Sequence, residues 1–359
     1  MRIYTCGPVA MYPEVASVRQ DVSGYFRTPE YGTLVKHCLK ELSAFIGNSV
    51  PQSMLYLACS GTGAMEAVVE NCATPSDKAL VINGGSFGLR FCELLEYHGI
   101  PFESVKLRWN ERLCEKHLST FDNRGFSLLF VNLDETSTGQ LYDLDLLSDF
   151  CERNGMLLIA DVISAFLCDD FSMEKSGIDA AIFSSQKGLC CSPGCSFVSV
   201  SSRMKEKILN SKSAPATRYF DFKDYFTNLT RGQTPYTPPV MVMYEVEAML
   251  RRVSLSGGFN AWINRIADKA RAFRQSVTEA GYQIPDYPLS NMLTPLCLNG
   301  TDACDIARDL KEYGFLVSPC GGDLSKRIFR VCHLGNTSPE DDQMLIDALY
   351  DIRQKRIKK

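Results

Sequence analysis

Six short apolar runs, separated by stretches of helical periodicity, constrain this chain more than any other feature. Met54–Ala58, Ala79–Asn83, Ser127–Leu133, Met156–Ala160, Ala180–Phe183 and Ser196–Val200 are each one strand long, with few side chains suited to a watered face. Strands buried on both faces belong inside a mainly parallel sheet that helices cover from each side. The intervening segments supply such helices, starting at Gly63 and at Phe87 and lying near Leu144–Arg153. An earlier one is predicted over Thr33–Ile46, where Leu34, Leu39, Leu42 and Phe45 recur at helical spacing.

After Met204 the pattern changes. Pro215 to Pro239, rich in Tyr, Phe, Thr and Pro, reads as irregular, and two long helical patterns follow at Val240–Leu255 and Phe259–Ala280. Strand patterns at Thr294–Leu298, Phe315–Ser318 and Ile328–Cys332, with helical ones at Ala303–Tyr313 and Pro339–Gln354, describe a smaller α/β unit. The first stretch of the chain, up to Gly32, is punctuated by Gly7-Pro8, Pro13, Gly24 and Pro29 and reads as an irregular arm. The expected fold class is α/β. A large domain over 14–250 holds a mainly parallel, seven-stranded-type sheet covered by helices. Residues 1–13 and 251–359 form a smaller α/β domain.

Composition narrows the function. With 38 basic against 42 acidic residues the net charge is −4, which argues against a nucleic-acid partner. No apolar run has the length of a membrane span, and Met1–Thr5 does not open a signal segment, so a cytoplasmic location and no membrane partner are expected. Fifteen cysteines stand against four histidines. Cys72, Cys92, Cys151, Cys297 and Cys304 fall inside apolar patterns, where a thiol acts as a small hydrophobe. Cys190, Cys191 and Cys195 cluster, but adjacent ligands suit a tetrahedral ion poorly, and no metal site is expected.

Chemistry concentrates where the strand runs end. Ser60-Gly61-Thr62-Gly63-Ala64 lies between a strand and a helix, where small residues and free N–H groups suit a phosphate. A capped turn would look the same. A dinucleotide fingerprint would want glycine in place of Glu66 and an acid in place of Asn83. Phe87, in Asn83-Gly84-Gly85-Ser86-Phe87-Gly88, is either a helix anchor or a face for a flat ring. Glu135-Thr136-Ser137-Thr138-Gly139 is a turn or a set of donors. Asp161 ends one strand run, and Lys187, in Ser184-Ser185-Gln186-Lys187-Gly188, follows another. Singly, a capping aspartate and a surface lysine are the plain readings. Together they sit at strand carboxyl ends, where open α/β sheets bind ligands. Pyridoxal 5′-phosphate needs this set: a lysine to anchor it, an acid for its ring nitrogen and a cradle for its phosphate.

On these motifs the chain resembles the fold-type I, class V aminotransferases. The pattern is nearest the alanine–glyoxylate, serine–pyruvate and 2-aminoethylphosphonate–pyruvate transaminases, and it runs from Gly7-Pro8 to Arg330. The resemblance implies that Thr62, Gly63 and Ala64 hold the phosphate, Phe87 stacks on the ring and Ile163 meets its other face. It implies that Thr136 donates to the ring hydroxyl, Asp161 pairs with the ring nitrogen, Gln186 assists and Lys187 forms the Schiff base. Arg330 would grip a substrate carboxylate, with Gly7 as a backbone wall. A homodimer is implied, with Thr237 in Gln233-Thr234-Pro235-Tyr236-Thr237 completing the neighbour's phosphate site. The expected reaction moves an amino group from a small amino acid or 2-aminoethylphosphonate to a 2-oxo acid such as pyruvate or glyoxylate. A phosphonate donor would want a further cation, for which Arg27 is a candidate. The rivals are a cysteine desulfurase-like lyase, disfavoured by Gln186 and Phe87 where those relatives carry histidine, and a non-catalytic binding protein on the same fold.

Overall fold

The structure is a computed structural model and describes residues 1–21 and 24–357. The chain opens with strand β1 (Arg2–Tyr4) and helix α1 (Pro13–Asp21), so the N-terminal segment is not the irregular arm expected from its glycines and prolines. Tertiary contacts make the difference. Helix α1 has weak apolar periodicity, but the Arg252 guanidinium lies 3.6 Å from the Tyr12 ring centroid and Arg19 pairs with the buried Glu245. Helix α2 (Pro29–Phe45) starts in the usual way, with Thr28 capping Tyr31 N–H and Pro29 in the first turn.

The βα alternation then follows the apolar runs. It comprises β2 (Met54–Leu57), α3 (Gly61–Cys72), β3 (Ala79–Asn83), α4 (Ser86–Tyr97), β4 (Phe102–Lys106), α5 (Glu115–Leu118) and β5 (Leu128–Asn132). A two-stranded ribbon, β6 (Asp134–Glu135) and β7 (Gln140–Leu141), precedes α6 (Leu144–Asn154), which Asp143 caps and Gly155 ends at φ 66°. Then come β8 (Leu157–Asp161), β9 (Ile178–Ser184) and β10 (Ser196–Val200). These strands form one seven-stranded sheet in the order β2-β10-β9-β8-β5-β3-β4. Only β10 runs against its neighbours, pairing antiparallel with β2 and β9. Every residue of β5 and β9 is buried, as a two-sided cover requires. The edge strand β4 is half exposed and polar, so its sequence carries no apolar run.

Helices α7 (Ser202–Asn210) and α8 (Phe222–Leu229) follow. The second corrects the irregular reading of Pro215–Pro239. Asp221 caps it, and Phe222, Tyr225, Phe226 and Leu229 bury one face at helical spacing, a period obscured by the flanking Pro and Tyr. Helices α9 (Val240–Leu255) and α10 (Gly258–Glu279) lead to β11 (Leu293–Leu296), α11 (Ala303–Glu312), β12 (Phe315–Pro319), β13 (Phe329–Cys332) and α12 (Pro339–Ile357). A second sheet runs β1-β12-β13-β11 and has its own apolar cluster, which includes Tyr4, Leu296, Phe315, Phe329 and Leu349. Among the described residues, no helix is long and apolar enough to cross a membrane.

Candidate active site

The carboxyl ends of β2, β3, β5, β8 and β9 all reach one cavity of about 290 Å³. Cys6 and Gly7 wall it from the N-terminal segment, and Ser318 and Arg330 reach it from the second sheet. A larger hollow, of about 630 Å³, lies between α2 and residues 47–54, away from those strand ends.

Lys187 leaves the sheet three residues past β9 and is 8% exposed. Its Nζ donates to Ser164 Oγ at 2.7 Å and Thr136 Oγ1 at 3.2 Å, and stands 5.4 Å from the Phe87 ring centroid. Gly7 sits against the lysine stem. Its φ is +125°, and a Cβ there would stand 3.2 Å from Lys187 Cγ, so the close approach calls for glycine.

Asp161 ends β8, buried, with Asn132 directly opposite it across the β5–β8 pairing. Asn132 Nδ2 donates to Oδ2 at 2.6 Å, and the Ile163 N–H donates to Oδ1 at 2.8 Å. Burial pushes its pKa up to about 6, against the pull of the Ile163 N–H, the Lys187 charge and the Asn132 amide. It is thus largely a carboxylate at neutral pH.

The phosphate end differs in detail from expectation. Ser60 caps α3: its Oγ accepts from Gly63 N–H at 3.3 Å and its carbonyl from Ala64 N–H at 3.1 Å. The expected donors Gly63 and Ala64 are therefore engaged, and neither lines the cavity. Ser60, Gly61 and Thr62 do, joined by Arg90. Arg90 Nη1 donates to Thr62 Oγ1 at 3.1 Å, and its guanidinium lies 4.8 Å from the Phe87 ring centroid. The first N–H groups of a helix have no intrahelical acceptor, so this end offers donors beside a cation.

Glu135 supplies what α4 lacks. Gly85 gives the helix no side-chain cap, and the buried Glu135 carboxylate accepts the N–H groups of Phe87 and Gly88, at 3.2 and 2.9 Å. An acid at a helix N-terminus is favourable and here fixes where Phe87 begins. Arg330 Nη1 donates to the Thr136 carbonyl at 3.0 Å and Nη2 to the Pro319 carbonyl at 2.8 Å. Among the described residues no carboxylate lies in salt-bridge range of it. Two expected residues lie elsewhere. Thr237 is exposed and does not line this chain's own cavity. Arg27 donates to the Thr234 and Pro235 carbonyls at 3.0 and 3.2 Å, so it supports that loop and does not line this chain's own cavity. Thr234 donates to the Tyr236 carbonyl at 2.6 Å.

Ser164, Asn132, Glu135 and Arg90 were not assigned roles from sequence. Asn132 carried a legible signal, a polar residue ending an otherwise apolar strand run. The others depend on distances between strand ends.

Behind the site, Asp134 is buried with neither carboxylate oxygen hydrogen-bonded, because the nearby Ser290 hydroxyl gives its proton to Asp169 at 2.6 Å. Burial, then the neighbouring Asp169, push its pKa from 3.8 to about 8. A carboxyl raised on folding takes up a proton between its unfolded and folded values, so stability falls as pH rises across that interval and levels above it. Asp134→Asn is expected to flatten this fall, by at most about 1.4 kcal/mol per pH unit. Urea midpoints of both proteins from pH 5 to 9 check it, and parallel curves would contradict the assignment.

The residues fit a phosphorylated, ring-bearing cofactor held by lysine. Gln186 Oε1 and Arg330 Nε border the cavity without partners, and the helix end and buried acid complete the donor set. Fold and site together are those of α/β enzymes that bind a cofactor at the sheet's carboxyl edge. Residues 16–335 match the family Aminotransferase class-V, and the chain belongs to that family. It is an aminotransferase, and pyridoxal phosphate is the cofactor the family implies. A protein of Anabaena cylindrica named soluble hydrogenase 42 kDa subunit is 28% identical over 338 residues, covering 90% of this chain and 85% of that one. The L-aspartate–glyoxylate aminotransferase of Paracoccus denitrificans is 26% identical over 347 residues, covering 93% and 86%. The crystal structure of an alanine–glyoxylate aminotransferase from Nostoc sp. superposes with a TM-score of 0.92 at 25% identity, over 98% of this chain and 94% of that one.

Proposed function

We propose that this aminotransferase takes the amino group of a small 2-amino acid and delivers it to a short 2-oxo acid such as pyruvate or glyoxylate. One observation carries the reading: Lys187, Asp161, the α3 N-terminus and Arg330 border a single cavity. Arg330 would bind the substrate carboxylate with the donors that its two carbonyl partners leave free. Arg90 serves the phosphate end. Arg330 is then the one guanidinium lining the substrate end of this chain's cavity, which favours a carboxylate-bearing donor over a phosphonate.

When bound, pyridoxal 5′-phosphate would supply a ring that disperses the electron pair left by C–H cleavage. Asp161 would hold the proton on the ring nitrogen, oriented by Asn132 and the Ile163 N–H. The amine of Lys187, between Ser164 and Thr136, would take the proton from the substrate α-carbon and hold it for the transfer. Thr136 would meet the ring hydroxyl, Phe87 and Ile163 its faces, and Gln186 its edge. Thr62, with the Gly61 and Thr62 N–H groups, would hold the phosphate. Thr237 of a second copy would complete it, making the working unit a homodimer. Eleven buried free thiols used as core residues fit a reducing, cytoplasmic setting.

A donor screen tests the reading. Alanine, serine, aspartate and 2-aminoethylphosphonate are mixed with holoenzyme, and loss of the lysine-bound absorbance with gain of the pyridoxamine form is followed. A small 2-amino acid is expected to convert it, and pyruvate or glyoxylate to reverse it. No exchange with any 2-amino acid, while cofactor stays bound, would sink the proposal. In the responsive pair, Arg330→Ala is expected to raise KM for the 2-oxo acid by about 10- to 100-fold, the worth of a hydrogen bond to charge.

A further inference from the structure

Helices α3 and α4 frame the cofactor end of the cavity with their N-termini, and a second cluster of ionisable groups joins them farther along. Glu66 and Glu70 stand one turn apart on α3, on one face. His98, the residue that ends α4, turns its Nε2 to both, 3.4 Å from Glu66 Oε1 and 3.9 Å from Glu70 Oε1. The three ligand atoms lie within 4.8 Å of one another. In a tetrahedral zinc shell, ligand atoms stand about 3.3–3.5 Å apart, so small side-chain rotations close the set.

Glu70 points independently to a cation. Its side chain is 0% exposed. Oε2 accepts from the Thr217 N–H and hydroxyl, each at 3.0 Å, while Oε1 is buried without a hydrogen-bond partner. A buried carboxylate oxygen left bare is costly, and a cation beside it removes the cost. Apart from His98 itself, the nearby ions do not. Lys223, on the same cavity wall, donates to the Ser211 carbonyl at 2.7 Å, and Asp221 caps α8 through the Lys223 N–H at 3.0 Å. That cavity, about 260 Å³, touches Glu70 and His98 and leaves room for water as a further ligand.

We propose that Glu66, Glu70 and His98 bind one divalent cation of zinc-like character, outside the active-site cavity. One imidazole and two carboxylates suit a borderline metal that accepts nitrogen and oxygen and tolerates an open position. The bound ion joins the end of α4 to the middle of α3.

The competing account is a plain ion pair between His98 and the two acids. Zinc titration of chelator-treated holoenzyme separates the two, by calorimetry and thermal melting. It is done in a Cys114→Ser background, because the exposed Cys114 thiol lies 3.2 Å from His117 Nδ1 and would itself capture zinc. Saturable binding of one zinc is expected, with Tm raised by about 3 °C at a hundredfold excess over Kd. His98→Ala and Glu70→Gln are expected to abolish the shift, and Glu66→Gln to weaken binding at least about tenfold, the loss of one charged ligand. Absence of saturable binding would overturn the site, as would binding unchanged in these variants. If His98→Ala or Glu70→Gln fails to fold, Glu66→Gln decides, because the Glu66 side chain is 35% exposed and tolerates change.

Discussion

Replacing Lys187 by alanine is expected to lower kcat by on the order of 10⁴-fold, since it removes the group proposed as both anchor and proton carrier. The lysine has no understudy. The other cations bordering the cavity, Arg90 and Arg330, are guanidinium groups, which act as fixed donors and not as proton carriers. The variant should also lose the absorbance of lysine-bound cofactor while still retaining some cofactor through the phosphate end. Deleting the amine leaves Ser164 and Thr136 hydrogen-bonded to each other, so the fold should survive and the loss should be chemical. A variant that kept both the band and amino exchange would show that another group performs these steps.

Asp161→Asn comes next in size. Asparagine keeps the shape and a hydrogen-bonding oxygen but loses the charge that would face the ring nitrogen, and a lost preorganised electrostatic partner costs about 10²–10³ in kcat. KM for the amino donor should change far less, because in the proposed site Arg330 would hold the carboxylate. Stability moves the other way. With its pKa raised from 3.8 to about 6, the buried Asp161 makes the protein lose stability as pH rises across that interval. The asparagine variant lacks that loss, so its Tm at pH 8 should match or exceed wild type. An unchanged kcat would remove Asp161 from the mechanism, and a lower Tm at pH 8 would mark it as a structural prop.

Much of this was legible in the chain because parallel strands announce themselves. β5 and β9 are buried end to end, their runs Leu128–Val131 and Ala180–Phe183 are apolar, and the polar residues that follow such a run mark a strand's carboxyl end. Asp161 and Lys187 are conspicuous for that reason. The half-polar edge strand β4 and the weakly periodic α1 were hidden, since their positions come from neighbours and not from their own pattern. The phosphate end shows the same limit at finer scale. A glycine-rich turn predicts free N–H groups, but only the rotamer of Ser60 decides that Gly63 is taken and Gly61 and Thr62 remain.

Local chemistry, read along the chain, determined the layered α/β fold, the five strand ends and the identity of the acid and the lysine, because burial and charge are properties each residue carries with it. Tertiary structure alone decided the rest. It set Asn132 opposite Asp161, reached Glu135 across to the start of α4 and placed Ser164 beside Lys187. It also joined Arg27 to the Thr234–Pro235 loop and drew His98 to Glu66 and Glu70. Those facts are distances between segments remote in sequence, and strand register and helix packing set them.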